Sequence, residues 1–123
     1  MSVTDYKTGK AVASWKASAE YDKIKLHKYR QQLLFYKLLV EQSRDYSSYT
    51  VTLGCLEFVE PNRSDEISSL ELTFDREELG RFALLIEKVW QHITALDLPD
   101  TSHYEPTYKG LLAFEQDLLD GVL

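Results

Sequence analysis

The hydrophobic and polar positions of this chain change period several times, and each change predicts an element. Val3-Thr-Asp-Tyr-Lys-Thr8 sends successive side chains to opposite sides and stops at Gly9, which predicts a strand over 2–8. Residues 9–20 are small and polar without a steady period and read as a connection. From Asp22, a candidate N-cap, the spacing of Leu26, Tyr29, Leu33, Tyr36 and Val40 predicts a helix over 22–43, closed by the polar cluster Gln42 to Asp45. Two runs rich in β-branched and aromatic residues follow, 49–59 and 67–74. The turn-forming stretch Pro61-Asn-Arg-Ser-Asp65 between them predicts an antiparallel hairpin across 49–74.

A second helix is predicted over 76–97. Asp75 followed by Glu78 has the form of a capping box, and Leu79, Phe82, Ala83, Ile86, Val89, Trp90 and Ile93 make one apolar stripe before Pro99. Trp90 on that stripe is expected in the core. A short amphipathic helix over 111–120 ends at Gly121. Strand, helix, strand, strand, helix, short helix describes a single α/β domain, a small mixed sheet with helices packed on it.

At 123 residues with 44% hydrophobic content, a chain buries roughly two-thirds of its unfolded surface and needs neither disulfide nor structural metal. The single Cys55 excludes an intrachain disulfide, a four-cysteine zinc site and a four-cysteine iron–sulfur cluster, and is expected as a small buried apolar residue. No apolar run approaches the roughly 20 residues of a membrane span, and the first residues have no signal-peptide character, so a cytoplasmic protein with no membrane partner is expected.

Charge alters the functional picture when taken by segment. The net charge of −6 argues against nucleic-acid binding, yet residues 1–30 hold seven basic against three acidic side chains. The other 93 residues hold seven against seventeen. A basic end of +4 on a body of −10 suits an anionic partner at Lys10, Lys16, Lys25, Lys28 and Arg30. Trp15 in the same stretch could stack on a base, although packing over the sheet edge is the plainer expectation. His27, His92 and His103 are dispersed without metal-like pairing.

Two small constellations carry candidate chemistry. Asp5 and Lys7 leave the same face of the first strand about 6.6 Å apart, so a carboxylate could hold a divalent cation while an ammonium reaches an adjacent water or phosphate. Gln32 and Tyr36 are one turn apart on the first helix. Either pair alone is ordinary surface or core chemistry.

Together, Val3-Thr-Asp-Tyr-Lys-Thr-Gly9 and Gln32-Leu-Leu-Phe-Tyr36 resemble the third motif and the Gln-x-x-x-Tyr motif of the RecB-type branch of the PD-(D/E)XK nucleases. The later run, through Tyr108-Lys-Gly-Leu-Leu-Ala-Phe-Glu-Gln-Asp-Leu-Leu119, looks like the C-terminal end of UvrD/Rep-type helicases that carry such a domain. The resemblance implies part of a restriction-endonuclease-like fold and metal-dependent cleavage of DNA in repair or recombination. It also implies roles: Asp5 and the Tyr6 carbonyl on Mg²⁺ or Mn²⁺, Lys7 on the attacking water and phosphate, Gln32 and Tyr36 bracing the site.

The family's other metal-binding aspartate lies in a Gly-x-x-Asp context on a preceding strand, and only four residues precede Asp5 here. A C-terminal piece, inactive alone, is therefore expected, with DNA and the rest of a parent helicase as partners and a homodimer through the exposed strand edge. The lack of four thiolates separates it from the iron–sulfur members, and no Walker loop is present. The alternative expectation is a non-catalytic DNA-binding or protein-docking module of nuclease-like shape.

Overall fold

The computed structural model describes residues 1–12, 14–60 and 68–123. It is an α/β fold in the order β1 (Ser2–Lys7), α1 (Glu20–Gln42), β2 (Leu53–Phe58), β3 (Ser68–Thr73), α2 (Arg76–Thr94) and α3 (Tyr108–Asp120). The strands form one mixed sheet in the order β1-β2-β3. β1 is parallel to β2, with Asp5 opposite Leu56, and β2 is antiparallel to β3, with Leu56 opposite Leu70. The expected turn at 61–65 lies outside the described residues.

Alternation decides what each face of the sheet does. Gly54, Leu56 and Phe58 on β2, and Leu70 and Leu72 on β3, turn to α1 and are buried against Leu26 and Leu33. Leu33, Leu56 and Phe58 retain no exposure, so the core lies between α1 and this face. The opposite face carries Thr4, Tyr6, Cys55, Glu57 and Glu71, and Tyr6 is 65% exposed there. Cys55 is thus only half-buried, a correction to the expected core residue. Its neighbours in the alternation take the core side. Partial burial, with Glu57 and Glu71 nearby, pushes its thiol pKa up.

The two sheet edges are treated differently. Along the β3 side, the linker after β1 brings the Trp15 indole to donate to the Glu71 carbonyl at 2.6 Å, and Trp15 packs on the core as the plainer expectation had it. On the β1 side, the Met1 and Lys7 carbonyls accept from the Thr52 and Val59 amides. In a parallel ladder the main-chain groups alternate, so those of Ser2, Thr4 and Tyr6 turn away from β2. No strand among the described residues lies beyond them.

Helix boundaries depart from the periodicity for identifiable reasons. α1 begins at Glu20 with Ala19 in the cap position and no side-chain cap, so Asp22 is not the N-cap. It sits in the first turn, where with Glu20 it faces the positive end of the helix dipole. Buried Lys37 ties α1 to the segment leading into β2, donating to the Val51 carbonyl at 2.6 Å, and also donates to Glu41 on its own helix at 2.6 Å. Asp75 does cap α2, accepting from the Glu77 amide at 3.2 Å, but Glu78 pairs with Arg30 instead of closing the capping box. α2 stops at Thr94, and Leu96 adopts φ 53° just beyond. Its one buried residue is Leu85, outside the predicted stripe, and Trp90 is 62% exposed instead of in the core. α3 starts at Tyr108, three residues before its apolar run, because Thr107 caps the Gly110 amide at 3.1 Å. Gly121, at φ 72°, ends it.

Candidate functional site

Period-two geometry places Asp5 and Lys7 on the α1 face of β1, at the edge of the sheet. On α1, Lys25, Tyr29, Gln32 and Tyr36 follow at helical spacing and form the stripe that meets them. Lys7 Nζ lies 2.9 Å from Asp5 Oδ2 and donates to Gln32 Oε1 at 2.6 Å. The Tyr36 hydroxyl donates to Asp5 Oδ2 at 3.5 Å, the long limit of such a bond. The four groups singled out from the sequence therefore form one polar cluster. Both charged side chains are largely covered, at 17% and 18% exposure for Lys7 and Asp5.

Tyr29 was not picked out from the sequence, yet it completes the arrangement. Lys7 Nζ sits 4.7 Å from the centre of its ring and Lys25 Nζ 5.7 Å. The negative face of the phenol ring holds both cations by cation–π attraction, worth about 0.5–2 kcal/mol according to exposure. Its signal was available: Tyr29 stands three residues before Gln32 and seven before Tyr36. An ammonium has three N–H donors. In Lys7 they face a carboxylate, an amide oxygen and a ring, which holds the cation in one place beside Asp5.

As a metal site the cluster is incomplete on its own residues. Asp5 is its single carboxylate, and Oδ2 is engaged by both Lys7 and Tyr36. The Tyr6 carbonyl faces outward at the sheet edge as the second oxygen. Among the described residues no group of three or more His, Cys, Asp or Glu is placed to hold a metal. Mg²⁺ takes about six oxygens and gives up water reluctantly, so this donor set does not fit it unaided.

Lys10, Lys16 and Lys28 are exposed, and Lys25 lies by Tyr29. Arg30 turns to α2, where Nε and a terminal nitrogen grip both oxygens of Glu78, the second at 2.7 Å. That pairing outweighs partial desolvation and raises the Arg30 pKa.

A second polar cluster lies on another side of α1. Glu115 of α3, 9% exposed, accepts from Gln31 Nε2 at 2.9 Å and lies 2.9 and 3.1 Å from His27 Nε2 through its two oxygens. A carboxylate only accepts, so Nε2 carries the proton. No local pattern joins His27 to a residue 88 positions away. Comparison of the chain with protein-family models, with curated proteins and with solved structures found no match.

Proposed function

We propose that the chain is the C-terminal portion of a RecB-like, metal-dependent DNA nuclease domain of the kind carried by UvrD/Rep-type helicases, serving DNA repair or recombination. On this reading its sheet and helices are part of a restriction-endonuclease-like fold. One observation carries the proposal: the Lys7 ammonium bridges Asp5 and Gln32, and Tyr36 bonds the same carboxylate. A random Asp-x-Lys pair on a strand has no reason to be met by a Gln and a Tyr one turn apart on the next helix. In the intact domain Asp5 and the Tyr6 carbonyl would share Mg²⁺ or Mn²⁺ with an upstream acid. Lys7 would offset negative charge building on the phosphate, while Gln32 and Tyr36 hold Lys7 and Asp5 in position.

DNA is the partner expected along Lys10, Lys16, Lys25 and Lys28, with Arg30 joining only where Glu78 releases it. The parent chain is the partner expected at the outer edge of β1. Without it, two copies pair through that edge, because unpaired ladder groups recruit another strand. A monomeric mass in light scattering at high concentration would remove this part of the proposal.

The isolated chain is expected not to cut plasmid DNA with Mg²⁺ or Mn²⁺; nicking that disappears in Asp5→Ala would show it to be active by itself. In NMR, Mn²⁺ or Mg²⁺ should perturb Asp5, Tyr6 and Lys7 selectively when added at millimolar concentration. A metal response spread evenly over surface acids, with no DNA binding, sinks the nuclease reading. A second reading, a non-catalytic DNA-binding or protein-docking module, draws on the single carboxylate of the cluster. DNA shifts confined to residues 7–30 without any metal response would favour it.

A further inference from the structure

The apolar stripe of α2 is not consumed by folding. Val89 is 41% exposed, Trp90 62% and Ile93 47%, and Leu96 and Leu98 just beyond the helix are 91% and 74% exposed. Val89, Trp90 and Ile93, with Phe82 and Ile86, border a groove of about 380 Å³ between α2 and α3, whose other wall is Leu111 and Phe114. Gln31 and Glu115 stand at its base, bonded to each other, so the floor presents no unpartnered polar group to an apolar occupant. Scattered surface apolar residues are ordinary, but a contiguous stripe containing an exposed indole and running along a groove marks a contact surface.

Charge selects the occupant. Residues 75–123, which build both walls, hold ten acidic side chains against four basic ones. A second copy docking here through a two-fold axis would set −6 against −6, and an anionic membrane would meet the same repulsion. We propose that this groove binds an amphipathic helix of another protein segment, with large apolar residues spaced i, i+3 or i+4, and i+7 on one face and Lys or Arg on its flanks. The apolar face fills the groove between Trp90 and Phe114, and the flanking cations meet the net negative charge of the α2–α3 unit. The proposal is independent of the nuclease reading, since it uses no residue of the Asp5 cluster.

The test uses the full chain and a fluorescently labelled helical peptide of about 18 residues, long enough for two or more anchor repeats. One version carries Lys and Arg on the polar face; a second has the same apolar stripe with Glu in their place. Fluorescence anisotropy should give a dissociation constant in the micromolar range for the basic peptide, weakening roughly tenfold as salt is raised tenfold, and little binding for the acidic one. Trp90→Ala and Ile93→Asp, both at exposed positions, should each weaken binding about tenfold with unchanged circular dichroism, and the Trp90 indole N–H resonance should shift on titration. Equal binding of both peptides, or binding unaffected by either substitution, overturns the proposal. So does self-association abolished by Ile93→Asp, or preferential binding to vesicles rich in phosphatidylglycerol.

Discussion

α1 carries a polar cluster on each of two sides, and the two differ in how completely they are closed. Toward β1, Asp5 is met by an ammonium and a long phenol contact, both on Oδ2, at the edge of the sheet where the outward main-chain groups have no strand beyond them among the described residues. Toward α3, Glu115 is met by an imidazole across both oxygens and by an amide, wedged between two helices. Burial is similar, 18% exposure for the Asp5 side chain and 11% for Glu115, so it is not what separates them. The difference is the number of bonds and the presence of an open side. The α3 cluster uses its carboxylate fully and acts as a structural tie. The β1 cluster instead holds a charged pair at the sheet edge through Oδ2, the one oxygen that both Lys7 and Tyr36 reach.

The largest expected effect comes from removing the support of the closed cluster. A Cβ on Gly110, in the first turn of α3, would lie 1.9 Å from the Glu105 carbonyl oxygen, closer than any rearrangement of side chains can relieve. Gly110→Ala should therefore cost about 3 kcal/mol or more, since backbone must move to relieve the overlap. Denaturant unfolding measures it. Retained stability would mean that α3, and with it Glu115, is held less firmly than this packing requires.

Next come the carboxylates themselves. Glu115→Ala strands the His27 N–H and the Gln31 amide between helices and should cost about 2–3 kcal/mol. Asp5→Ala leaves Lys7 its Gln32 bond, the Tyr29 ring and access to water. It should cost about 1 kcal/mol or less, as partly exposed ion pairs do. Paired chemical-denaturation curves at matched m-values decide between them. A reversed order would make the β1 cluster the structural tie.

How far the molecule was legible in its sequence follows the same line between local and distant causes. The Asp5–Lys7 and Gln32–Tyr36 spacings are local, and each put its two side chains on one face of its own element. Their meeting needs only the strand and the helix that follows it. Element types were legible throughout, because the period of the apolar positions is also local. What failed was decided by tertiary competition. Glu78 takes Arg30 in preference to its own helix end, and Trp90 lies on a stripe that nothing described covers. The start of α3 was missed because its apolar run begins at Leu111, whereas its hydrogen bonding begins at the Thr107 cap.

The smallest expected effect tests whether α3 is tied as firmly on its outer side as at Glu115. The Tyr104 hydroxyl donates to Asp117 Oδ2 at 2.5 Å, and this bond, reinforced by the negative carboxylate, pushes the Tyr104 pKa up from its ordinary value near 10 to about 12. The folded state favours the neutral phenol. Its contribution is therefore fully present below pH 10 and fades as pH rises from 10 through 12. Ultraviolet titration of phenolate absorbance should show a late step near pH 12 that is missing in Tyr104→Phe, with the two proteins converging in stability at the alkaline end of that window. The side chain is accessible to solvent, so the stability difference at neutral pH should be slight and the titration is the sharper readout. A Tyr104→Phe curve that superimposes on the parent across the alkaline range would mean that Asp117 does not hold this phenol. The segment leading into α3 would then be fixed by its remaining contacts, among them the Thr107 cap, the Tyr108 amide on Glu20, the Tyr104–Phe114 ring pair and the close packing at Gly110.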